Sequence, residues 1–203
     1  MRGSRRIRIR SRRGGITLAG ATVLFLACSA VPSAGQPQQK FESAAEAFEV
    51  GQRELGAGQY AAAAAAFREV LRLDPQSAAA HSNLGVVYMR TGRFDAAITS
   101  LEEAARLAPR VAGIHLNLGL AHLRRGGYRE AIPPFQKAFE LGADPNRTRY
   151  LLGFSHYLAG EYDAAAKTLD PIYAQFSTQL EYLFVLGASH GKSGREQEAA
   201  RIF

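Results

Sequence analysis

The pattern of apolar and polar positions repeats every 34 residues, without insertion, from Ala44 onward. In each complete frame an aromatic residue is followed seven positions later by Phe or Leu, which places both residues on one face of a helix. Earlier in four of the frames, a Leu stands directly before a Gly. The pattern therefore predicts helix pairs in five frames, the last of them incomplete. These frames are residues 44–77, 78–111, 112–145, 146–179 and 180–203.

Two columns of glycine and one of alanine recur at the same positions of every frame. At the eighth position and in the alanine column, a minimal side chain lets two antiparallel helices cross at close range. The fifteenth position is where the first helix must end, and Gly readily adopts the left-handed conformation that ends helices. The eighth-position glycines are Gly51, Gly85, Gly119, Gly153 and Gly187, the fifteenth-position glycines are Gly58, Gly92, Gly126, Gly160 and Gly194, and the alanines are Ala63, Ala97, Ala131, Ala165 and Ala199.

Polar and proline signals indicate where the helices begin and end. Residues 36–43 are typical of a polar linker, and Ser43 followed by Glu46 three residues later predicts a capping box at the first helix. Pro75 and Pro109 end the second helices of the first two frames. In the next two frames, the pairs Pro133-Pro134 and Asp170-Pro171 predict second helices that are kinked or restarted.

The 34-residue period and the order Leu-Gly, Tyr, Ala, Phe and Pro resemble the tetratricopeptide repeat. The resemblance covers residues 44–203 and implies an all-α fold, an α-solenoid of antiparallel helix pairs whose first helices line a concave face. His81 and His115 stand where the family usually has Trp. The family binds proteins or peptides, so the resemblance implies a protein partner and no enzymatic activity.

Ligands of this family usually lie along first-helix side chains, at the second, fifth, ninth, twelfth and thirteenth positions. Most of these side chains are apolar here, which suits an amphipathic helix or an extended apolar segment. The alternative is that they only pack between adjacent repeats. Of the family's carboxylate clamp only Asn83 and Asn117 match, so a clamp is not expected. The candidate groove residues are Phe48, Val86, Met89, Leu116, Leu120, Leu123, Tyr150, Phe154, Tyr157 and Phe184, with Arg90, Arg124 and Lys192 along one edge.

The net charge of +7 lies in the N-terminal segment, because seven arginines fall within the first 13 residues. Without them, 18 basic residues balance 18 acidic ones. The repeats thus lack the excess of basic residues that nucleic-acid binding requires, and no nucleic acid partner is expected.

A basic stretch followed by an apolar run, Ile16 to Ala27, and then by small residues is typical of a bacterial export signal. We assign residues 1–35 to this leader and expect an exported protein that is periplasmic, secreted or membrane-anchored. The run is short for a spanning helix, although extension to Val31 gives a marginal anchor. Ser11-Arg12-Arg13 resembles the start of a twin-arginine signal, but Gly15 stands where that motif has a bulky apolar residue.

Cys28, the only cysteine, ends the apolar run. The sequence around it resembles a lipoprotein processing box, which implies a lipidated Cys28 at the mature N-terminus. The alternative is ordinary cleavage after Ala30 or Gly35. Membrane contact is expected only through the leader or this lipid, and a single cysteine excludes an internal disulfide.

Neither a cofactor nor a metal is expected. The segment Gly187 to Ser193 resembles a phosphate-binding loop, but it is one residue short and lacks a preceding strand. The five histidines occupy positions that the family fills with aromatic core residues, and supporting cysteines or paired carboxylates are missing. The predicted function is an interaction scaffold of the bacterial envelope. The alternative is the binding arm of a larger enzyme or secretion component that continues beyond Phe203.

Overall fold

The computed structural model describes residues 41–203, which contain helices and turns and no β-strand. The leader, its candidate cleavage sites, Cys28 and most of the linker lie outside the described residues. In chain order the elements are α1 (Ala44–Gly56), α2 (Tyr60–Leu73), α3 (Ala78–Arg90), α4 (Phe94–Leu107), α5 (Ala112–Arg125), α6 (Tyr128–Glu140), α7 (Pro145–Leu158), α8 (Tyr162–Leu169), a 3-10 turn (Asp170–Ile172), α9 (Tyr173–Phe176), α10 (Leu180–Lys192) and α11 (Glu196–Ile202).

The predicted frame agrees with these helices almost residue for residue. Four of the five first helices begin at the first residue of a frame, and α2, α4, α6 and α8 begin at its aromatic residue. The exception is α7, which begins one residue early at Pro145. Asp144 caps it by accepting the Arg147 N–H at 2.6 Å, and proline is well tolerated in the first turn. The predicted solenoid of helix pairs is confirmed.

Both glycine columns have the predicted roles. Every fifteenth-position glycine has a positive φ, between 72° and 91°. At the eighth position the second helix crosses so closely that a Cβ on Gly85 would lie 2.6 Å from Cγ of Leu101. The same approach occurs in every frame, against Phe67, Leu101, Phe135, Leu169 and Phe203.

The predicted capping box forms with one change. The Ser43 hydroxyl accepts the Glu46 N–H at 3.2 Å, as expected. The Glu46 carboxylate, however, accepts the backbone N–H of Glu42 at 2.8 Å, one residue earlier than in a standard box.

The two proline pairs have different outcomes. The prediction of a helix restart at Pro133-Pro134 is wrong, because α6 is one helix from Tyr128 to Glu140. The prolines remove hydrogen bonds to the carbonyls of Arg129 and Glu130, which are exposed residues where water can bind instead. The buried side chains of α6 keep the helix in place, and they are Ala131, Ile132, Phe135 and Ala138.

The restart at Asp170-Pro171 is confirmed. After Leu169 the chain forms a 3-10 turn and then the short helix α9. Ile172 within the turn is 1% exposed, and Phe176 of α9 stacks on Tyr182 of α10 with ring centroids 5.3 Å apart. The interruption therefore brings two further apolar side chains into the core next to α10.

Candidate functional site

The structure divides the ten candidate groove residues into two sets. In α1, α3 and α5, Phe48, Val86 and Leu120 pack against the core of the first three repeats. Met89 is 7% exposed and belongs to that core, so it offers almost no surface to a ligand. Leu116 and Leu123 are partly buried on the same helix face.

The second set forms a cleft between α7 and α10. Tyr150, Phe154 and Tyr157 of α7 face Phe184 of α10 across a space of about 620 Å³. Two of its lining residues are unusually exposed for apolar side chains, since Leu180 is 82% exposed and Phe184 is 57% exposed. We call this the aromatic cleft, and its lining residues are Tyr150, Phe154, Tyr157, Leu158, Leu180, Glu181, Phe184 and Val185.

The rings of the cleft are held by contacts behind them. Tyr150 stacks on Phe154 and on Phe176, with ring centroids 6.1 and 5.6 Å apart. Tyr157 meets Phe184 edge to face at 6.5 Å. All three α7 rings also pack against the core cluster of the last two repeats. The same residues thus pack between repeats and also line an open cleft.

Opposite charges stand at the two ends of α10. Lys192 lies over the rings of Tyr157 and Tyr162, 5.5 and 4.7 Å from their centroids, and donates a hydrogen bond to the Tyr162 hydroxyl at 3.3 Å. That hydrogen bond raises the pKa of Lys192. Glu181 is exposed at the other end. Burial raises the pKa of Tyr150, and the negative charge of Glu181 raises it further.

The other two edge cations lie away from this cleft. Arg90 and Arg124 are exposed at the ends of α3 and α5. Arg124 borders a separate shallow cleft of about 490 Å³, in which Arg125 and Asp95 form an ion pair at 3.3 Å. Because Asp95 offsets part of the positive charge, this second cleft has weaker charge complementarity for an anion than its arginines alone suggest.

Two histidines join the first helices to the preceding turns. The Nε2 atoms of His81 and His115 lie 3.2 and 2.9 Å from the backbone carbonyl oxygens of Pro75 and Pro109. The two histidines that stand where the family usually has Trp therefore each contact a backbone carbonyl of the preceding turn.

The other three histidines share the eleventh position of their frames but not their contacts. His156 Nδ1 lies 2.8 Å from a Glu161 oxygen, and His190 Nε2 lies 2.8 Å from an Asp170 oxygen. Nδ1 of His122 is buried without a partner within residues 41–203. In the same range, no three His, Cys, Asp or Glu side chains are grouped closely enough to hold a metal ion.

The segment that resembles a phosphate-binding loop is helical. It lies in α10 as far as Lys192 and includes the buried residues Gly187, Ser189 and His190. Its backbone N–H groups are therefore not arranged as a loop around a phosphate. Among the described residues, no helix combines the length and apolarity needed to cross a bilayer.

Sequence reasoning missed part of the cleft. Glu181 and Leu158 occupy the second and thirteenth frame positions, so the family pattern itself could have identified them. Leu180 and Val185 stand outside that pattern, and only the packing of α10 beside α7 shows that they line the cleft.

Several solved structures have a similar fold. A crystal structure of MamA is 24% identical, with a TM-score of 0.72 over 79% of this chain and 87% of that one. MamA 41-end from Desulfovibrio magneticus RS-1 is 18% identical, with a TM-score of 0.71 over 80% and 92%. YrrB, described as a TPR protein with an unusual peptide-binding site, is 19% identical, with a TM-score of 0.72 over 79% and 82%. These likenesses show the fold.

A family model identifies the repeats directly. The tetratricopeptide repeat model matches residues 51–112 and 116–179. No curated protein matches the chain. Since the family model covers more than half of its length, this chain belongs to the tetratricopeptide repeat family.

Proposed function

We propose that this protein is an interaction scaffold of the bacterial cell envelope, which binds a partner peptide or helix along the first-helix face of its repeats. The observation that carries the proposal is the aromatic cleft, where Leu180 and Phe184 are exposed beside three packed rings. Contiguous apolar surface of this kind is typical of interaction sites. The peptide-binding site named for YrrB supports a peptide partner.

The cleft is suited to binding because its rings are already in place. Tyr150, Phe154 and Tyr157 each have one side against the core, so little side-chain freedom is lost when a ligand covers the other side. Aromatic anchors of this kind often dominate the energy of an interface. The cleft presents rings, aliphatic side chains and one carboxylate, which together favour recognition of an apolar segment.

The test is to replace Phe154 and Tyr157 together by Ala. We expect capture of the partner by the immobilised protein to weaken by about 2 kcal/mol or more, since truncating an anchor commonly costs that much. Circular dichroism should show that the variant still unfolds cooperatively. Captured proteins are identified by mass spectrometry and compared with those bound by the parent.

The matched control replaces two exposed aromatic residues outside the cleft, Tyr128 and Tyr173, by Ala. This control should retain everything that the parent captures. The proposal fails if the Phe154 and Tyr157 variant unfolds while nothing that the parent captures depends on those residues. In that case the two rings only pack the core, where truncation costs roughly 3 to 5 kcal/mol of stability.

The envelope location has its own test, which is mass spectrometry of the mature N-terminus. We expect the mature protein to begin between Cys28 and Gln36. A diacylglycerol-modified Cys28 would identify a lipid anchor, and an unmodified start after Ala30 or Gly35 would identify ordinary cleavage. An intact Met1 on a protein in the cytoplasmic fraction would contradict export.

A further inference from the structure

Opposite charges flank the aromatic cleft, because Glu181 is one of its lining residues and Lys192 lies outside the lining, over the ring of Tyr157. Glu181 lies in the first turn of α10 and Lys192 is its last residue. At 1.5 Å of rise per residue, the two positions are separated by about 16 Å along the helix. The ring of Tyr157 contacts both the cleft and Lys192, since it lines the cleft and also lies under the ammonium group of Lys192.

Both charges are available to a ligand. Within residues 41–203, neither Glu181 nor Lys192 has an oppositely charged side chain within 4.0 Å. Nearby cations differ in this respect, since Lys167 and Arg195 both pair with Asp163, at 2.6 and 3.3 Å. The side chains of Glu181 and Lys192 are exposed, so pairing with a ligand would not require rearrangement of the fold.

The lining of the cleft favours a helix over an extended segment. Apart from two tyrosine hydroxyls and Glu181, its lining side chains offer no hydrogen-bonding groups. An extended peptide pressed against such a surface loses water from backbone groups that find no replacement partner. A helix satisfies its own backbone groups and presents only side chains.

From these observations, and on the basis of the proposed function, we infer that the cleft binds an amphipathic helix of about three turns, antiparallel to α10, with acidic residues in its first turn and basic residues in its last. In that orientation the acidic turn lies at Lys192 and the basic turn lies at Glu181. The same charge order stabilises the ligand itself, because acidic residues favour the N-terminus of a helix and basic residues favour its C-terminus. Large apolar side chains on one face of the ligand contact Phe154, Tyr157 and Phe184.

The experiment uses two synthetic peptides of about 12 residues with one apolar face and a fluorescein label. The first has Glu in its first turn and Lys in its last, and the second has these charges exchanged. Fluorescence anisotropy with the full repeat protein should show the first peptide binding about tenfold more tightly, since both end charges change from attractive to repulsive. The double variant Glu181→Lys with Lys192→Glu should reverse this order.

Arg90→Glu is the matched control, because Arg90 ends α3 as Lys192 ends α10 but lies away from the cleft. It should leave the preference unchanged. Phe184→Ala should weaken binding of both peptides. Circular dichroism confirms that each variant keeps its helix content.

Three results would overturn the inference. If the parent and the charge-exchanged variant each bind the two peptides equally well, the inferred antiparallel orientation of the ligand helix is wrong. Equally tight binding of a peptide with two central prolines would show an extended occupant. Absence of binding, while the Phe154 and Tyr157 variant still loses partner capture, would refute the helical ligand and leave the proposed function intact. The proposed function fails separately, if partner capture does not depend on those two rings.

Discussion

Residues 44–111 and 146–203 share one 34-residue frame but use their first-helix faces differently. In the N-terminal region that face carries one aromatic residue, Phe48, whose ring packs edge to face on Phe67, and Met89 is buried in the core. In the C-terminal region the corresponding positions carry Tyr150, Phe154, Tyr157 and Phe184, which border an open cleft. The comparison shows that the frame determines helix packing, while residues outside the glycine and alanine columns determine what surface the packed helices present.

The contacts between neighbouring repeats differ in the same way. Position 25 of one frame meets position 11 of the next, a separation of 20 residues. In the N-terminal region, Arg68 donates to the hydroxyl of Tyr88 at 3.1 Å. In the C-terminal region the same two positions hold Asp170 and His190, and His190 is 4% exposed. The same pair of positions thus makes an arginine–hydroxyl hydrogen bond in one region and an imidazole–carboxylate contact in the other.

The largest difference should come from glycine-to-alanine changes at the same frame position. In Gly85→Ala the new Cβ meets Leu101, which is fully buried and cannot move aside. Overpacking of this kind costs about 1–3 kcal/mol, partly offset by the better helix propensity of Ala. In Gly187→Ala the Cβ meets the ring of Phe203, which is 77% exposed and free to turn away. Urea unfolding of both variants measures the difference, and equal losses would show that close crossing does not limit stability.

A smaller effect is expected from breaking the contact between repeats. Asp170→Ala leaves the buried His190 without its hydrogen-bond acceptor, which should cost about 1–3 kcal/mol of unfolding free energy. Arg68→Ala should cost about 0.5 kcal/mol or less, because a surface space of about 250 Å³ beside Tyr88 lets water replace the arginine. Thermal and urea unfolding of the two variants make the comparison. A larger loss for Arg68→Ala would contradict it.

Alkaline pH should affect the C-terminal region through Tyr182. This ring is fully buried and donates to the carbonyl of Leu169 at 2.8 Å, and burial raises its pKa well above the ordinary value of 10.0. A raised folded-state pKa gives stability that is present below the ordinary pKa and decreases as pH rises above it. Urea unfolding from pH 8 to pH 11 should show a smaller alkaline loss in Tyr182→Phe than in the parent. Tyr128→Phe, at an exposed ring, is the control and should follow the parent.

The smallest effect is expected at acid pH, between the two regions. Burial lowers the pKa of His122 below its ordinary value of 6.5, and Arg125 lowers it further. A lowered folded-state pKa gives stability that is present above 6.5 and is lost as pH falls through the folded value. We expect His122→Gln to unfold with a weaker dependence on pH below 6.5 than the parent. An unchanged dependence of stability on pH would show that His122 does not cause the loss of stability at acid pH.

The repeated sequence alone determined the helix pairs, most of the helix starts and the roles of both glycine columns. This was possible because each role depends on local backbone geometry or on the size of one side chain, as at Gly58 and Gly51. The continuity of α6 through Pro133-Pro134 was not predictable in this way. It depends on whether burial of Phe135 and its neighbours outweighs two lost hydrogen bonds, which is a balance set by packing.

The lining of the candidate site was also predicted only in part, because packing again decides what local pattern cannot. The family pattern identified Tyr150, Phe154, Tyr157 and Phe184 because their positions project from the first helix. It did not show that Met89, at such a position, is buried. Whether a projecting side chain is covered depends on the neighbouring helices, and a one-dimensional pattern holds no information on how closely they approach. Only the tertiary structure therefore decided where the face closes into core and where it opens as a cleft.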